Sequence, residues 1–276
     1  MSKRSIPALP LKLLVLEDEK DSREATELLF RGEGYDVVST SSGEHAIEAV
    51  QNSTTPFYAM VMDIRMDGRV DGLKATQTIQ QELNRNIPAL ILSAFNNHEY
   101  QTLAERYRLK ITGWVGKPDV ENQTMVYVRQ LADAAYSVEK SIVDAFHDFI
   151  SSPEAGLQRM RSFLREKVDY DPLIIPYVLG RLEESSPDQI SDFIAQVNFL
   201  TFEVQGQVLL EKYKEGFVAF LKGALVGHHE NEDELIRDVY KKKRTTDFFV
   251  ARLHPDIVHS PAGDPVQFRR WDGFLR

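Results

Sequence analysis

The sequence predicts a parallel α/β domain followed by a mainly α-helical one, and three observations carry that prediction. Short, fully apolar runs recur in the first half, Leu13-Leu14-Val15-Leu16, Ala59-Met60-Val61-Met62 and Ala89-Leu90-Ile91-Leu92, and a fourth run spans residues 111–115. Such runs are strands buried on both faces, as in a parallel sheet covered by helices. Strand and helix patterns alternate five times, which implies parallel pairing through right-handed crossovers. The second half repeats helix-start signals, Ser152-Pro153-Glu154, Asp171-Pro172 and Ser186-Pro187-Asp188-Gln189, each a capping residue with proline at the first helical position.

The elements follow in order. After the first strand, residues 21–30 read as a helix with Ala25, Leu28 and Leu29 on one face, ended by Gly32 and Gly34. Residues 35–39 form a short second strand, and Ser42-Gly43-Glu44 opens a helix through Val50. A loop over 52–56 leads to the strand at 59–63. A glycine-punctuated loop, Asp67-Gly68-Arg69-Val70-Asp71-Gly72, precedes a helix to about Leu83, and Pro88 precedes the fourth strand. Residues 97–107 are helical, and the last strand ends near Val115.

In open parallel sheets, ligands bind beyond the carboxyl ends of the strands. Here those ends carry Glu17-Asp18, Asp63, Ser93 and Gly116-Lys117-Pro118. Three carboxylates brought together repel unless a cation neutralises them. All are hard oxygen ligands, which suit Mg²⁺ with its retained waters. Lys117 supplies a fixed positive charge opposite. A carboxylate between a divalent ion and an ammonium is set up to accept a phosphoryl group, a transfer that needs positioning and charge neutralisation more than covalent machinery.

With these residues in place, the chain resembles the receiver domain of two-component response regulators. Glu17-Asp18, Asp63, Ser93 and Lys117-Pro118, with Trp114 three before the lysine, match in order, spacing and strand-end position. The resemblance covers roughly residues 11–135 and implies a doubly wound five-stranded fold. It implies that Asp63 is the phosphoacceptor for a histidine kinase or phosphotransfer protein. It makes Asp18 a direct Mg²⁺ ligand, Glu17 a ligand largely through water, and the Arg65 backbone carbonyl the completion of the metal shell with Asp63. Ser93 would bond the phosphoryl oxygen, Lys117 would stand in the catalytic set with Asp63, and Trp114 would be the aromatic that rotates on activation. Glu17 stands where the family more often has aspartate, Asp67 where proline is common, and Gly72 comes one residue later than usual. None of these removes a required group.

Length and composition set the frame around this domain. At 276 residues two domains are expected. A net charge of -9 argues against a generic binder of nucleic acid or anionic membrane. Without cysteine there is neither a disulfide framework nor a thiolate metal site. No apolar run reaches the length of a membrane span, and residues 1–10 lack a signal-peptide core, so membrane insertion is not expected and a cytoplasmic location is. The organisation expected is a tail over 1–10, the receiver over 11–135, a helical output domain over 136–244 and a tail with prolines and aromatics over 245–276.

Residues 119–150 contain neither glycine nor proline, and Met125, Val128, Ala132, Ala135, Val138, Ile142, Ala145 and Phe149 recur at spacings of three and four. This reads either as one long helix, available as a homodimer seam, or as two helices each packed on its own domain. The second domain looks all-helical. Gly206 just before an apolar set over 208–225, and Gly216 and Gly223 within it, either break a long helix or admit close neighbours. His228-His229-Glu230 with Asp233 could be a metal site, but Asn231 with Glu234 forms a capping box, the better account of these residues. Lys241-Lys242-Lys243-Arg244 could touch nucleic acid, yet residues 140–276 carry 18 Lys and Arg against 22 Asp and Glu, which disfavours that partner.

The function expected is therefore a response regulator that switches protein–protein contacts or dimerisation of its helical domain. No enzymatic output is expected beyond the receiver's own phosphoryl chemistry. A phosphorylation-controlled DNA-binding transcription regulator is the alternative. A receiver-regulated metal-dependent enzyme using His228, His229, His254 or His259 is the third.

Overall fold

The computed structural model describes residues 11–64, 66, 71–93, 98–117, 120–166 and 170–255. They fall into two units, residues 11–138 with 170–174 and residues 139–166 with 175–255.

The first unit is a five-stranded parallel sheet in the order β2-β1-β3-β4-β5. The strands are β1 (Lys12–Leu16), β2 (Asp36–Thr40), β3 (Ala59–Asp63), β4 (Ala89–Ser93) and β5 (Ile111–Gly116). Between them run α1 (Lys20–Gly32), α2 (Gly43–Gln51), α3 (Gly72–Gln77) and α4 (His98–Arg106), and α5 (Val120–Ser151) follows. Alternate side chains of each strand point to opposite faces. Leu14, Leu16, Met60, Met62, Ala89 and Ile91 pack with Ala46, Leu73 and Ile79 on one face. Leu13, Val15, Val61, Leu90 and Val115 pack with Phe30 of α1 and Val128 and Leu131 of α5 on the other. This two-sided burial is why the strands read as continuous apolar runs. It is the doubly wound five-stranded architecture that the sequence predicted.

The starts of α1, α2 and α3 each have a local cause. Glu19 accepts from the Asp21 and Ser22 amides at the head of α1, Ser42 from His45 at α2, and Asp71 from Lys74 at α3. The helix after Gly72 is less regular than the sequence suggested. It passes at Thr78 into a π-helical turn (Thr78–Glu82), and Asn84 follows at φ 52°. That wider turn lets Gln80 reach the strand ends, donating to Ile87 O at 2.8 Å and accepting from the Lys110 amide at 2.9 Å. Of the two readings for residues 119–150, the single helix is the one formed: α5 runs unbroken for 32 residues.

The second unit begins within α5 and continues with α6 (Pro153–Arg165), α7 (Ile174–Ser185) and α8 (Pro187–Tyr213). Pro153 and Pro187 do open their helices, although the Ser152 and Ser186 hydroxyls make no capping bond. Phe193 of α8 packs against Phe146 and Phe149 of α5, with ring centroids 5.5 and 5.2 Å apart.

The unit is mostly helical but not all-helical. After α8 come β6 (Gly216–Leu221), β7 (Ala224–His229), α9 (Glu232–Lys243) and β8 (Phe249–Leu253). The three strands form an antiparallel sheet in the order β7-β6-β8. Of the three glycines expected to break a helix or admit close neighbours, Gly206 stays buried inside α8 and the other two build a hairpin: Gly216 opens β6 at φ 111°, and Lys222 and Gly223 turn it at φ 50° and 75°, with Gly223 closely approached by Ile175 and Val197. Two positive φ values in a two-residue loop match the twist of antiparallel strands. The Asn198 side chain, buried on α8, accepts from the Gly223 amide at 2.7 Å. One face of the sheet packs on Phe202 and Leu209 of α8, the other on Leu235, Ile236 and Val239 of α9. Part of the expected C-terminal tail is therefore β8.

Candidate functional site

The parallel register brings the predicted residues to one end of the sheet. β1 ends at Leu16, so Glu17 and Asp18 emerge beside the end of β3, where Asp63 sits; Asp63 pairs with Leu92, and Ser93 with Gly116. Glu17, Asp18 and Asp63 offer carboxylate oxygens that all lie within 4.8 Å of one another. Lys117 bridges two of them, donating from Nζ to Glu17 Oε2 at 2.6 Å and to Asp63 Oδ2 at 2.7 Å. Both acids are nearly buried, at 3% and 5% exposure.

Charge balance governs this cluster. Burial raises the Glu17 pKa, Lys117 pulls it down, and the neighbouring Asp63 charge adds to the rise. Burial also opposes the charge on Lys117, but its hydrogen bonds to Asp63 and Glu17 outweigh that opposition and raise its pKa. One ammonium cannot neutralise three carboxylates, and the remaining negative charge is what a hard divalent cation would answer.

The backbone around the acids is held by Gly72 and by three groups that the sequence did not single out, on Arg23, Thr40 and Thr76. Arg23 of α1 donates from Nη1 to the carbonyls of both Glu17 and Asp18, at 2.8 and 3.1 Å. The Glu17 amide donates to Thr40 O at the end of β2. Gly72 packs directly on the Asp63 main chain, so that a Cβ there would lie 2.0 Å from the Asp63 carbonyl oxygen. Thr76 Oγ1 donates back to Gly72 O at 2.7 Å, fixing the first turn of α3. The sequence signals among these are an arginine five residues after an acid pair and the glycine that closes the loop after Asp63.

Trp114 is half-buried on β5, opposite Ile91, and packs against the α2–α3 face of the core. Arg65 and Pro118 lie outside the described residues, and of Ser93 only the strand backbone is described.

Among the described residues, the histidines of the second unit do not form a metal cluster. Among the described residues the one group of three or more candidate ligands is Glu17, Asp18 and Asp63. His229 Nδ1 accepts from the Asn231 amide at 3.0 Å and its Nε2 faces Glu234 at 2.9 Å. Asn231 in turn caps α9 by accepting from the Glu234 amide. His228 stacks on Tyr213 at 4.0 Å, with Nε2 against Glu215 O. His259 lies outside the described residues.

The response regulator receiver domain family matches residues 13–129. The sensor protein TorS of Escherichia coli (strain K12) is 29% identical over 125 residues, covering 44% of this chain and 13% of TorS. The transcriptional regulatory protein ZraR of the same strain is 30% identical over 123 residues, covering 44% of this chain and 26% of ZraR. The match is thus to a module of longer proteins. A response regulator receiver domain protein from Clostridium thermocellum superposes with a TM-score of 0.40 at 16% identity, over 45% of this chain and 94% of that one. Residues 13–129 of this chain are a response regulator receiver domain.

Proposed function

We propose that this protein is a phosphorylation-controlled switch in which Asp63 accepts a phosphoryl group from a histidine kinase or phosphotransfer protein. The observation that carries this proposal is the bridge from Lys117 to Asp63 and Glu17 beside a third carboxylate. An Asp63 oxygen attacks phosphorus, a new O–P bond forms, and the P–N bond to the donor imidazole breaks with its electron pair returning to the ring. Lys117 already lies 2.7 Å from Asp63 Oδ2, and it follows the incoming charge onto a phosphoryl oxygen. Ser93 stands at the end of the neighbouring strand, and its hydroxyl would donate to another phosphoryl oxygen.

Glu17, Asp18 and Asp63, with the Arg65 carbonyl, would hold Mg²⁺. Bound there, the ion neutralises charge on the transferring group. Arg23 keeps the two leading acids in place through their carbonyls, and Gly72 keeps Asp63 against α3.

The output is a change in protein contacts made by the second unit, and α5 is the element available for homodimerisation. Among the described residues no helix is long and apolar enough to cross a membrane, and a cytoplasmic site of action belongs to the same proposal.

The test uses a small phosphodonor with Mg²⁺, followed by intact-mass measurement. A hydroxylamine-labile phosphoryl adduct that disappears in Asp63→Asn is expected. An adduct that persists in Asp63→Asn, or none in a protein whose Trp114 fluorescence responds to Mg²⁺, rules the proposal out. Light scattering with and without beryllofluoride reads the dimerisation clause.

A further inference from the structure

The receiver unit is not one stretch of chain. Residues 170–174 come after α6, yet they belong to the same unit as the five-stranded sheet. Asp171 shows why. It is 1% exposed. Its Oδ1 accepts from Arg85 Nε at 2.7 Å and from the Leu173 amide at 3.1 Å. Its Oδ2 accepts from Arg85 Nη2 at 2.5 Å and from the Phe57 amide at 2.9 Å. A carboxylate offers about four acceptor sites, and all are filled.

Arg85 is itself buried, and its Nη1 donates to Val50 O at 3.0 Å. The cradle is therefore made by the end of α2, the start of β3 and the approach to β4, at the opposite end of the sheet from Asp63. Lys12 stands in the same region, with Nζ bonded to the Ser53 and Thr55 hydroxyls at 3.0 Å and lying 4.5 Å from the Phe57 ring centroid. Without Asp171 this edge would keep a buried guanidinium and a buried amide with no acceptor from the segment that now serves both.

Such a segment is either a latch that phosphorylation releases or an anchor that stays. Magnitudes decide between them. Allosteric effectors typically shift an equilibrium by about 5–150-fold. Leaving one member of a buried, hydrogen-bonded ion pair alone costs about 150- to 5,000-fold in the same terms. The smaller effect does not drive the larger one.

We infer that residues 170–174 are a permanent component of the receiver, an internal ligand held in both phosphorylation states. The second unit then joins the receiver through α5 and again on either side of this segment. The signal leaves a receiver whose tether stays docked. Only the clause about two states rests on the proposed phosphorylation of Asp63.

The experiment is amide hydrogen exchange by mass spectrometry on the full chain, with Mg²⁺ alone and with Mg²⁺ and beryllofluoride. Trp114 fluorescence in a Trp271→Phe background reports whether beryllofluoride has bound. Peptides covering residues 53–58 and 170–175 are expected to exchange slowly in both states, at rates within about fivefold. Asp171→Asn, which keeps the shape and loses the charge, is expected to speed both peptides by about 100-fold or more. Loss of protection on adding beryllofluoride would make the segment a releasable latch and overturn the inference. So would an Asp171→Asn protein that remains as slow as wild type. If beryllofluoride does not bind, the switch proposal fails, and the variant arm still decides whether Asp171 holds the segment. If the variant does not fold, the wild-type comparison decides the anchor.

Discussion

Replacing Gly72 by alanine places one methyl group against the main chain of Asp63, the proposed phosphoacceptor. The added carbon would lie 2.0 Å from the Asp63 carbonyl oxygen, 2.8 Å from its carbonyl carbon and 3.3 Å from Ile64 Cα. Non-bonded carbon and oxygen approach to about 3.3 Å, so something must move by roughly 1.3 Å. Neither side yields easily, because Asp63 is bonded into the sheet and Leu73, Ala75 and Thr76 of α3 are all buried. Two effects oppose each other. Alanine is the better helix former by up to about 1 kcal/mol. Overpacking a close contact costs about 1–3 kcal/mol. An overlap this deep puts the cost at the upper end of that range, so overpacking wins, with a net loss of about 2 kcal/mol and a melting temperature lower by several degrees. The effect on chemistry is larger, since a misplacement of about 1 Å at a reacting group costs about 10²-fold in rate. The assay pairs a thermal melt with the rate of phosphorylation by a small donor. Gly32→Ala is the control, because a Cβ there meets nothing within 4 Å. A Gly72→Ala protein with a wild-type melting point and a rate within threefold of wild type, on the order of ordinary variation, refutes the contact.

Three further outcomes follow from the same structure. Lys117→Met leaves Glu17 and Asp63 facing each other without their shared cation, which should cost about 3 kcal/mol in EDTA; Mg²⁺ should restore most of it, and equal losses in both buffers would remove Lys117 from the charge balance. Asn198→Ala leaves the buried Gly223 amide without its acceptor and should cost about 1–3 kcal/mol, read as an earlier melting transition; an unchanged melt with a slowly exchanging Gly223 amide would contradict it. Burial pushes the Tyr170 phenol up to about 12. The folded protein then keeps that proton above the unfolded pKa of about 10, so its contribution is intact below pH 10 and is lost as pH rises towards 12. Tyr170→Phe should flatten the alkaline limb of a denaturation series, and a superimposable limb would count against the burial.

How much was legible in the sequence depended on whether the cause was local. Asp63 could be placed at a strand end because a parallel sheet buried on both faces leaves an unbroken apolar run before it. The acid pair, the hydroxyl-bearing residue and the lysine followed by the same logic. The hairpin at Lys222-Gly223 was not found, since its apolar flanks continue the pattern of α8 and its turn depends on two positive φ values. The π-helical turn leaves no mark in apolar spacing. Asp171-Pro172 shows the limit most clearly. The sequence marked Asp171 as a helix cap, and its Oδ1 does accept from the Leu173 amide two residues on. Its other bonds go to Phe57 and Arg85, which are 114 and 86 positions away, and no local pattern encodes a partner at that distance.

That distance also sets a schedule on the ribosome. Arg85 is made 86 residues before Asp171. At about 5–20 residues per second, its guanidinium spends roughly 4–17 s without a counter-charge. All five strands of the sheet have left the peptidyl-transferase centre by then, as have α5 and α6. The receiver therefore cannot be finished as a nascent N-terminal module before the next one starts. Its final closure is deferred until the chain has begun to build the second unit, and synthesis of the two is interleaved rather than sequential.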